Sequence, residues 1–282
     1  METRSVVVTG ASTGIGHATV AALTADGFRT WATVRRQPDA DRLAEEFGDA
    51  VTPVLVDLED EASVRAAGDR VCADGPLHGL VNNAGAAMSG PLEVLPIATF
   101  RRQLEVNLVG QLLMTQVMLP ALLEAAGRQG DARVVMVGSI GGRVAGPTLG
   151  AYQAAKHGLV GLTGALRAEL APSHVKVVLV EPGVIATPIW ASGRAAGDRI
   201  LDGQPAEVMR RYEKQLQAAR AMAARGQQHG LAPEVPAGVI LNALTARNPR
   251  PRQTVGRDAA VVAAMVRLLP FRLLYRLTDA RA

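Results

Sequence analysis

This chain of 282 residues has one cysteine, three lysines and nine aromatic side chains. A lone Cys72 excludes an intramolecular disulfide framework and fits a reducing compartment. The five histidines (His17, His78, His157, His174 and His229) share no ligand spacing, so the sequence offers no ground for a metal site. Aromatics at 3% leave few platforms on which bases could stack. Besides Lys156, Lys176 and Lys214 the cations are all arginines, and they are scattered rather than massed. Nucleic acid is therefore not an expected partner, despite a net charge of +4 and a pI of about 9.7. Repeats, low-complexity linkers and charge runs are missing too, so the chain reads as one domain over 1–282. The first strand begins within a few residues of the start, leaving no room for a signal peptide. A cytoplasmic protein is the expectation.

What is present is an alternation of apolar strands and amphipathic helices. Strands are expected at 5–9, 29–34, 52–56, 78–82, 133–138 and 175–180. Helices are expected near 15–25, 39–47, 60–73, 97–126 with an interruption, 151–170, 206–224 and 233–246. Repeated βα units imply an α/β fold, a doubly wound parallel sheet with helices on both faces.

Four segments carry chemistry. Tyr152 and Lys156 are four residues apart, so on a helix the phenol and the ammonium share one face. A free tyrosine titrates near 10, about 3 units too high for proton exchange at neutral pH. A neighbouring cation favours the phenolate, and roughly 4 kcal/mol would be needed. Near the amino terminus, strand Ser5-Val6-Val7-Val8 runs into Thr9-Gly10-Ala11-Ser12-Thr13-Gly14-Ile15-Gly16 and then into a helix. Strand, glycine turn and helix start make a phosphate cradle, because glycines admit the backbone close to a pyrophosphate that helix N–H groups can meet. Leu80-Val81-Asn82-Asn83-Ala84-Gly85 and Val134-Val135-Met136-Val137-Gly138-Ser139 are apolar strands ending in amide or hydroxyl residues, with Tyr152 thirteen positions beyond Ser139. Ligands of open parallel sheets bind outside the carboxyl ends of strands, where Thr9, Asn83 and Ser139 stand.

Together these motifs, with Asn107 and Pro182-Gly183, resemble the short-chain dehydrogenase/reductase family over roughly the first two thirds of the chain. The resemblance implies a carbonyl/alcohol oxidoreductase with Asn107, Ser139, Tyr152 and Lys156 as its catalytic set. Tyr152 would move the hydroxyl proton and Ser139 would orient the reacting oxygen. Lys156 would lower the tyrosine pKa and hold the nicotinamide ribose, and Asn107 would support a water relaying protons to it. Dinucleotide contacts are implied for Gly10, Ser12, Thr13, Gly14, Ile15, Gly16, Asp57, Leu58, Asn83, Ala84, Gly85, Tyr152, Lys156, Pro182 and Gly183, with Val184, Ile185 and Thr187 at the carboxamide. Asp57 reads equally well as a helix N-cap. A homo-oligomer, dimer or tetramer, is also expected.

The second strand ends in Arg35-Arg36, where an acid would accept from a ribose 2′-hydroxyl and arginine would meet a 2′-phosphate. NADP(H) is accordingly expected over NAD(H), which stays open. Segment 187–205, rich in Gly and Ala, shows no clear periodicity and is expected to form a loop-helix lid, the lid region extending to about 230. There Trp190 is either substrate contact or core filler, and Ile189, Ile200, Leu201 and Met209 suit a bulky apolar substrate. The tail, about 255–282, carries an apolar helix with Val261, Val262, Met265, Val266, Leu268 and Leu269, then Pro270, Phe271 and a basic stretch to Arg281. It is similar to tails of the 17β-hydroxysteroid and retinol dehydrogenase-like branch. Arg257, Asp258, Arg267 and Pro270 interrupt it too often for it to cross a bilayer, so no transmembrane segment is expected. Packing against the domain or a second subunit is expected before peripheral membrane contact. Two rivals remain: a carrier-protein-dependent 3-oxoacyl reductase, which needs a shallower pocket, and a non-catalytic dinucleotide sensor, which needs no Ser139/Tyr152/Lys156 set.

Overall fold

The computed structural model describes residues 4–270, 272–274 and 276. Seven strands form one sheet: β1 (Ser5–Val8), β2 (Arg29–Val34), β3 (Val51–Leu55), β4 (Gly79–Asn82), β5 (Ala132–Val137), β6 (Val175–Pro182) and β7 (Arg252–Val255). Their order is β3-β2-β1-β4-β5-β6-β7, and every neighbouring pair is parallel. Among the described residues the α-helices accompanying them are α1 (Gly14–Ala25), α2 (Gln37–Phe47), α3 (Glu61–Ala73), α4 (Ile97–Leu104), α5 (Gly110–Gln129), α6 (Gly150–Leu170), α7 (Ile189–Leu201), α8 (Ala206–His229), α9 (Glu234–Thr245) and α10 (Arg257–Leu268).

The strands are apolar throughout because both faces of the sheet are covered, and successive side chains go to opposite layers. Val7, Leu80, Val134 and Met136 pack under α3, α5 and α6 with Val64, Met114, Met118, Leu122 and Leu159. Val6, Val8, Val81, Val135 and Val178 pack on the other face with Val20, Leu23, Leu43 and Ile240 from α1, α2 and α9. Pro53 sits within β3, which pairs only with β2, so its missing N–H costs no ladder bond. The run Ile97–Arg128 is long and apolar enough to cross a membrane by length and composition. Met114, Met118, Ala121, Leu122 and Ala125 are nonetheless buried against the sheet, as in a core helix.

Two elements differ from the sequence expectation. Strand β7 was not anticipated, because an edge strand reading Arg-Gln-Thr-Val with one buried residue has no apolar run. Helix α7 occupies most of the segment expected to lack periodicity. Its Gly193 and Gly197 lie against the carbonyls of Ala87 and Ser89, where an added Cβ would come within 2.9 Å, so small residues rather than an apolar stripe mark its packed face. The interruption expected in the long helix near 97–126 is a π-helical turn at Glu105–Val109. The tail helix lies at Arg257–Leu268 with Val261 58% and Leu268 76% exposed, while Phe271 and Arg281 fall outside the described residues.

One buried ion cluster ties the late strands together. Glu181 of β6 is fully buried, with Arg143 Nε 3.1 Å from each of its carboxylate oxygens and Arg252 Nε of β7 2.7 Å from Oε2. Burial pushes the carboxyl pKa up, but hydrogen bonds from Arg252 and Arg143 outweigh that and hold it below the ordinary range. A carboxyl depressed in the folded state contributes stability above its unfolded value of about 4.3, and that contribution is lost as pH falls through the folded value. Glu181→Gln, which leaves two arginines without their anion, should cost about 3–5 kcal/mol in urea unfolding at pH 7. The gap between parent and variant should shrink below about pH 4; an equal gap at pH 7 and pH 3 would contradict this account.

Candidate active site

The carboxyl ends of β1, β4, β5 and β6 open on one side of the sheet, and the strand order reverses between β1 and β4. At that crevice Thr9 is fully buried. Its hydroxyl accepts from the amides of Asn83 and Ala84, both at 2.9 Å, and donates to the Val81 carbonyl at 3.3 Å. Asn83 Nδ2 donates back to the Thr9 carbonyl at 2.9 Å and the Gly10 carbonyl at 3.3 Å. Gly16 has no room for a side chain, since a Cβ there would lie 2.2 Å from the Gly10 carbonyl oxygen and 2.5 Å from Asn83 Nδ2. Gly10 meets Ala84 and Gly14 meets Thr187 in the same close manner. Ile15 is half-buried, with its side chain packed against the core. Helix α1 starts with no side-chain cap from Thr13 and no acid in its first turn. Its first N–H groups are thus left for an anion, which fits a pyrophosphate and does not fit a cation.

Past β4, the Ala84 carbonyl accepts from buried Gln111 at 2.8 Å, and Gly85 is exposed to the crevice beside Asn107. Asn107 sits fully buried in the π-helical turn, Oδ1 taking the Ala86 amide at 2.9 Å and Nδ2 giving to the Ala86 carbonyl at 2.9 Å. Both ends of this side chain are therefore used on the loop, and it is not turned to Lys156. Gln103, one turn earlier, holds the same loop through Met88 N–H and the Ala86 carbonyl, both at 2.7 Å. The sequence reading had passed over Gln103, since a buried glutamine on an otherwise polar helix leaves no pattern.

Ser139 follows β5, and its Oγ accepts the Gly141 amide at 3.1 Å and hydrogen-bonds Tyr152. Tyr152 and Lys156 share a face of α6, with Lys156 Nζ 5.9 Å from the Tyr152 ring centroid. Lys156 is buried and donates to the Val137 carbonyl at 2.8 Å. Burial lowers its pKa to about 8. The expected lowering of the Tyr152 pKa is not seen in the chain by itself: desolvation pushes the phenol up, and the Ser139 hydrogen bond offsets only part of that. A lysine held at the Val137 carbonyl does not overcome the burial of the ring.

At the end of β2, Arg35 and Arg36 are both exposed. Arg36 Nε is bound to Asp39 at 2.9 Å, while Arg35 makes no such pair among the described residues. Arg42, which sequence reasoning missed, reaches from α2 to the Ser12 carbonyl at 2.6 Å and to Asp39 at 3.3 Å. It lies two turns into a helix and carries no local signal. Asp57 is not the N-cap of α3. Asp60 is, accepting from Ala62 N–H at 3.0 Å, while Asp57 accepts from Glu59 N–H at 3.0 Å and stays partly exposed at the end of β3. Leu58 points into the core, so only its backbone faces outward.

After β6, Pro182 is buried and the loop 183–187 is gripped from several sides. Trp190 Nε1 donates to the Ile185 carbonyl at 2.7 Å, and the ring lies against Gly226 of α8. Trp190 also lines a cavity of about 60 Å³ with Ala87, Leu149, Ile189, Leu201 and Met222, among others. Ser139, Tyr152 and Lys156 do not line it. Of the apolar residues expected at the substrate, Ile200 and Met209 stand outside that lining. Arg194, Arg220 and Asp198 belong to it, the last two paired at 2.9 Å. Among the described residues no group of three or more His, Cys, Asp or Glu side chains is placed to hold a metal.

The sequence profile described as short chain dehydrogenase matches residues 4–197. The chain is 32% identical over 274 residues to an NADPH-dependent 3-dehydrocapnine reductase of Ornithobacterium rhinotracheale, covering 96% of this chain and 94% of that protein. It is 32% identical over 253 residues to human 17-beta-hydroxysteroid dehydrogenase type 1, covering 86% and 75%. A short chain dehydrogenase/reductase from Burkholderia phymatum, solved in complex with NAD, superposes with a TM-score of 0.78 at 25% identity over 94% of this chain and 92% of that one.

Proposed function

The chain belongs to the short-chain dehydrogenase family and is a nicotinamide-dinucleotide-dependent oxidoreductase of small molecules, and from that premise we propose that it exchanges hydride between NADP(H) and a bulky apolar ketone or its secondary alcohol. The observation that carries this reading is the meeting of Ser139, Tyr152 and Lys156 at the same end of the sheet as the uncapped start of α1. A bound nicotinamide supplies the hydride chemistry. The protein's own groups bind, orient and move the proton. The first amides of α1 and the glycine turn hold the pyrophosphate. Lys156 gives one N–H to Val137, which leaves two donors of its ammonium for ribose hydroxyls. Tyr152 is the acid that completes a reduction, and Ser139 Oγ binds the same substrate oxygen. Asn107 keeps the π-helical turn and the Ala86 loop in place, so any relay towards Lys156 runs past the backbone of that turn.

NADP(H) is supported by Arg35, exposed at the end of β2 and in no ion pair among the described residues, with Arg42 fixed nearby on the glycine turn. The apolar substrate is supported by Leu149, Ile189, Trp190, Leu201 and Met222, and by the neutralisation of Arg220 by Asp198. The cavity they line, about 60 Å³, is not lined by Ser139, Tyr152 or Lys156, so its lining supports the apolar character of the lid and not a formed substrate pocket.

Tyr152→Phe should lower turnover at least about 10²-fold with little change in dinucleotide affinity. Near-normal turnover of the folded variant would remove Tyr152 from the mechanism. Specific activity on bulky apolar ketones should exceed that on small charged keto acids and on carrier-bound β-ketoacyl groups, and the reverse order would favour the carrier-dependent reductase.

Arg35→Ala should cost about 1.5–3 kcal/mol of NADPH binding, roughly 10- to 150-fold, and leave NADH nearly untouched. Arg36→Ala should do less, because Asp39 already holds that guanidinium. A parent that prefers NADH, or an unchanged selectivity ratio in Arg35→Ala measured on the same preparation, would reduce Arg35 to surface charge.

A further inference from the structure

We propose that Asp258, at the start of α10 and far beyond the stretch that matches the family profile, is a positioning residue for the nicotinamide end of the dinucleotide site. The inference rests on the reading of loop 183–187 as the part of the chain that receives the carboxamide. Asp258 Oδ2 accepts the Val184 amide at 2.8 Å, across 74 positions of sequence. Its carboxylate lies flat on Gly183, where a Cβ would stand 2.2 Å from Oδ2, so only glycine lets it reach that amide. Gly256, at φ +107°, brings the carboxylate in from the other side, with a Cβ there only 2.4 Å from Oδ1.

The rest of the loop is bound in an ordered way. Gly183 N–H goes to the Val255 carbonyl, Leu231 N–H to the Val184 carbonyl, and Ala186 N–H to the Leu231 carbonyl, each at 2.9 Å. Ile185 bridges Leu231 in parallel fashion through its two neighbours, so its own N–H and C=O point to the opposite side. Trp190 meets that side through the Ile185 carbonyl at 2.7 Å. Asp258 thus takes the Val184 amide and fixes the Gly183–Val184 peptide plane, on which the next two planes, those carrying the Ile185 N–H and C=O, are built and held by Leu231 and Trp190. The Asp258 carboxylate touches the loop's outer amide and acts through the backbone.

The test uses the full chain and reads binding rather than turnover. Calorimetry compares NADP⁺ with 2′-phospho-ADP-ribose, the same molecule without nicotinamide; where the parent prefers NAD⁺, the pair is NAD⁺ and ADP-ribose. Asp258→Ala should weaken the intact dinucleotide about tenfold, as expected for loss of a charge-assisted bond to a backbone amide, and leave the fragment within about twofold. Asp258→Asn, whose amide oxygen still accepts from Val184 N–H, should restore most of the loss. Hydrogen exchange of residues 183–187 should accelerate in Asp258→Ala and stay near parent in Asp258→Asn. Equal weakening of dinucleotide and fragment would mean that Asp258 only supports the fold, and unchanged binding of both would mean that it supports nothing at this site; either overturns the proposal. A parent that binds the fragment as tightly as the whole dinucleotide would overturn instead the reading of loop 183–187 on which it stands.

Discussion

A single threonine hydroxyl sits where the sheet turns from one winding direction to the other. Thr9 accepts two amides of the Asn83-Ala84 segment and gives its proton to Val81, so the ends of β1 and β4 are joined past their last ladder bond. In a parallel sheet, neighbouring connections leave that point in opposite directions and open a crevice there. The crevice would be a place of unpaired backbone groups if nothing crossed it. The Thr9 and Asn83 bonds satisfy those groups and also fix the distance between the glycine turn and the Ala84–Ala86 loop. Everything further out is referenced to that spacing: Gly16 against Asn83, Gly85 against Asn107, and Gly14 against Thr187.

Two buried charges then divide the labour. Glu181 is held by two arginines and anchors the backbone just before Pro182. Lys156 is held by one carbonyl and keeps donors to spare. The first arrangement is closed and serves position. The second is incomplete, and an incompletely paired buried ammonium is one whose protonation responds to what enters the site. In the chain by itself desolvation raises the Tyr152 pKa and the Ser139 hydrogen bond offsets only part of that, while the lysine is directed at Val137.

The site is also assembled from far along the chain. The motifs that announce it lie before residue 188, yet the loop after β6 is held by Leu231, Val255 and Asp258, and the Ser139 turn is held through Arg143 and Glu181 to Arg252. Strand β7 and the start of α10 thereby do more than close the edge of the sheet. They set the backbone on which the carboxyl end of β6 presents its amides.

Local patterns were enough to read six strands, most helices and the order of the functional segments. A strand buried on both faces must be apolar along its length, and a phosphate cradle must have glycines and a helix start, so these features are written in consecutive residues. Ser139, Tyr152 and Lys156 were legible for the same reason, since helical spacing alone puts the last two on one face. What consecutive residues do not contain is the partner of a polar side chain. Asp60 rather than Asp57 caps α3, because the helix starts three residues later than a cap at Asp57 would place it. Helix α7 was hidden because its packing needs small residues against carbonyls, and β7 because an edge strand keeps polar side chains. Asn107 facing Ala86, Arg42 facing Ser12 and Asp258 facing Val184 were decided by tertiary structure alone. Each of these bonds joins groups that meet only once the sheet has ordered its strands, and no periodicity along the chain records which distant backbone group will be left needing a partner.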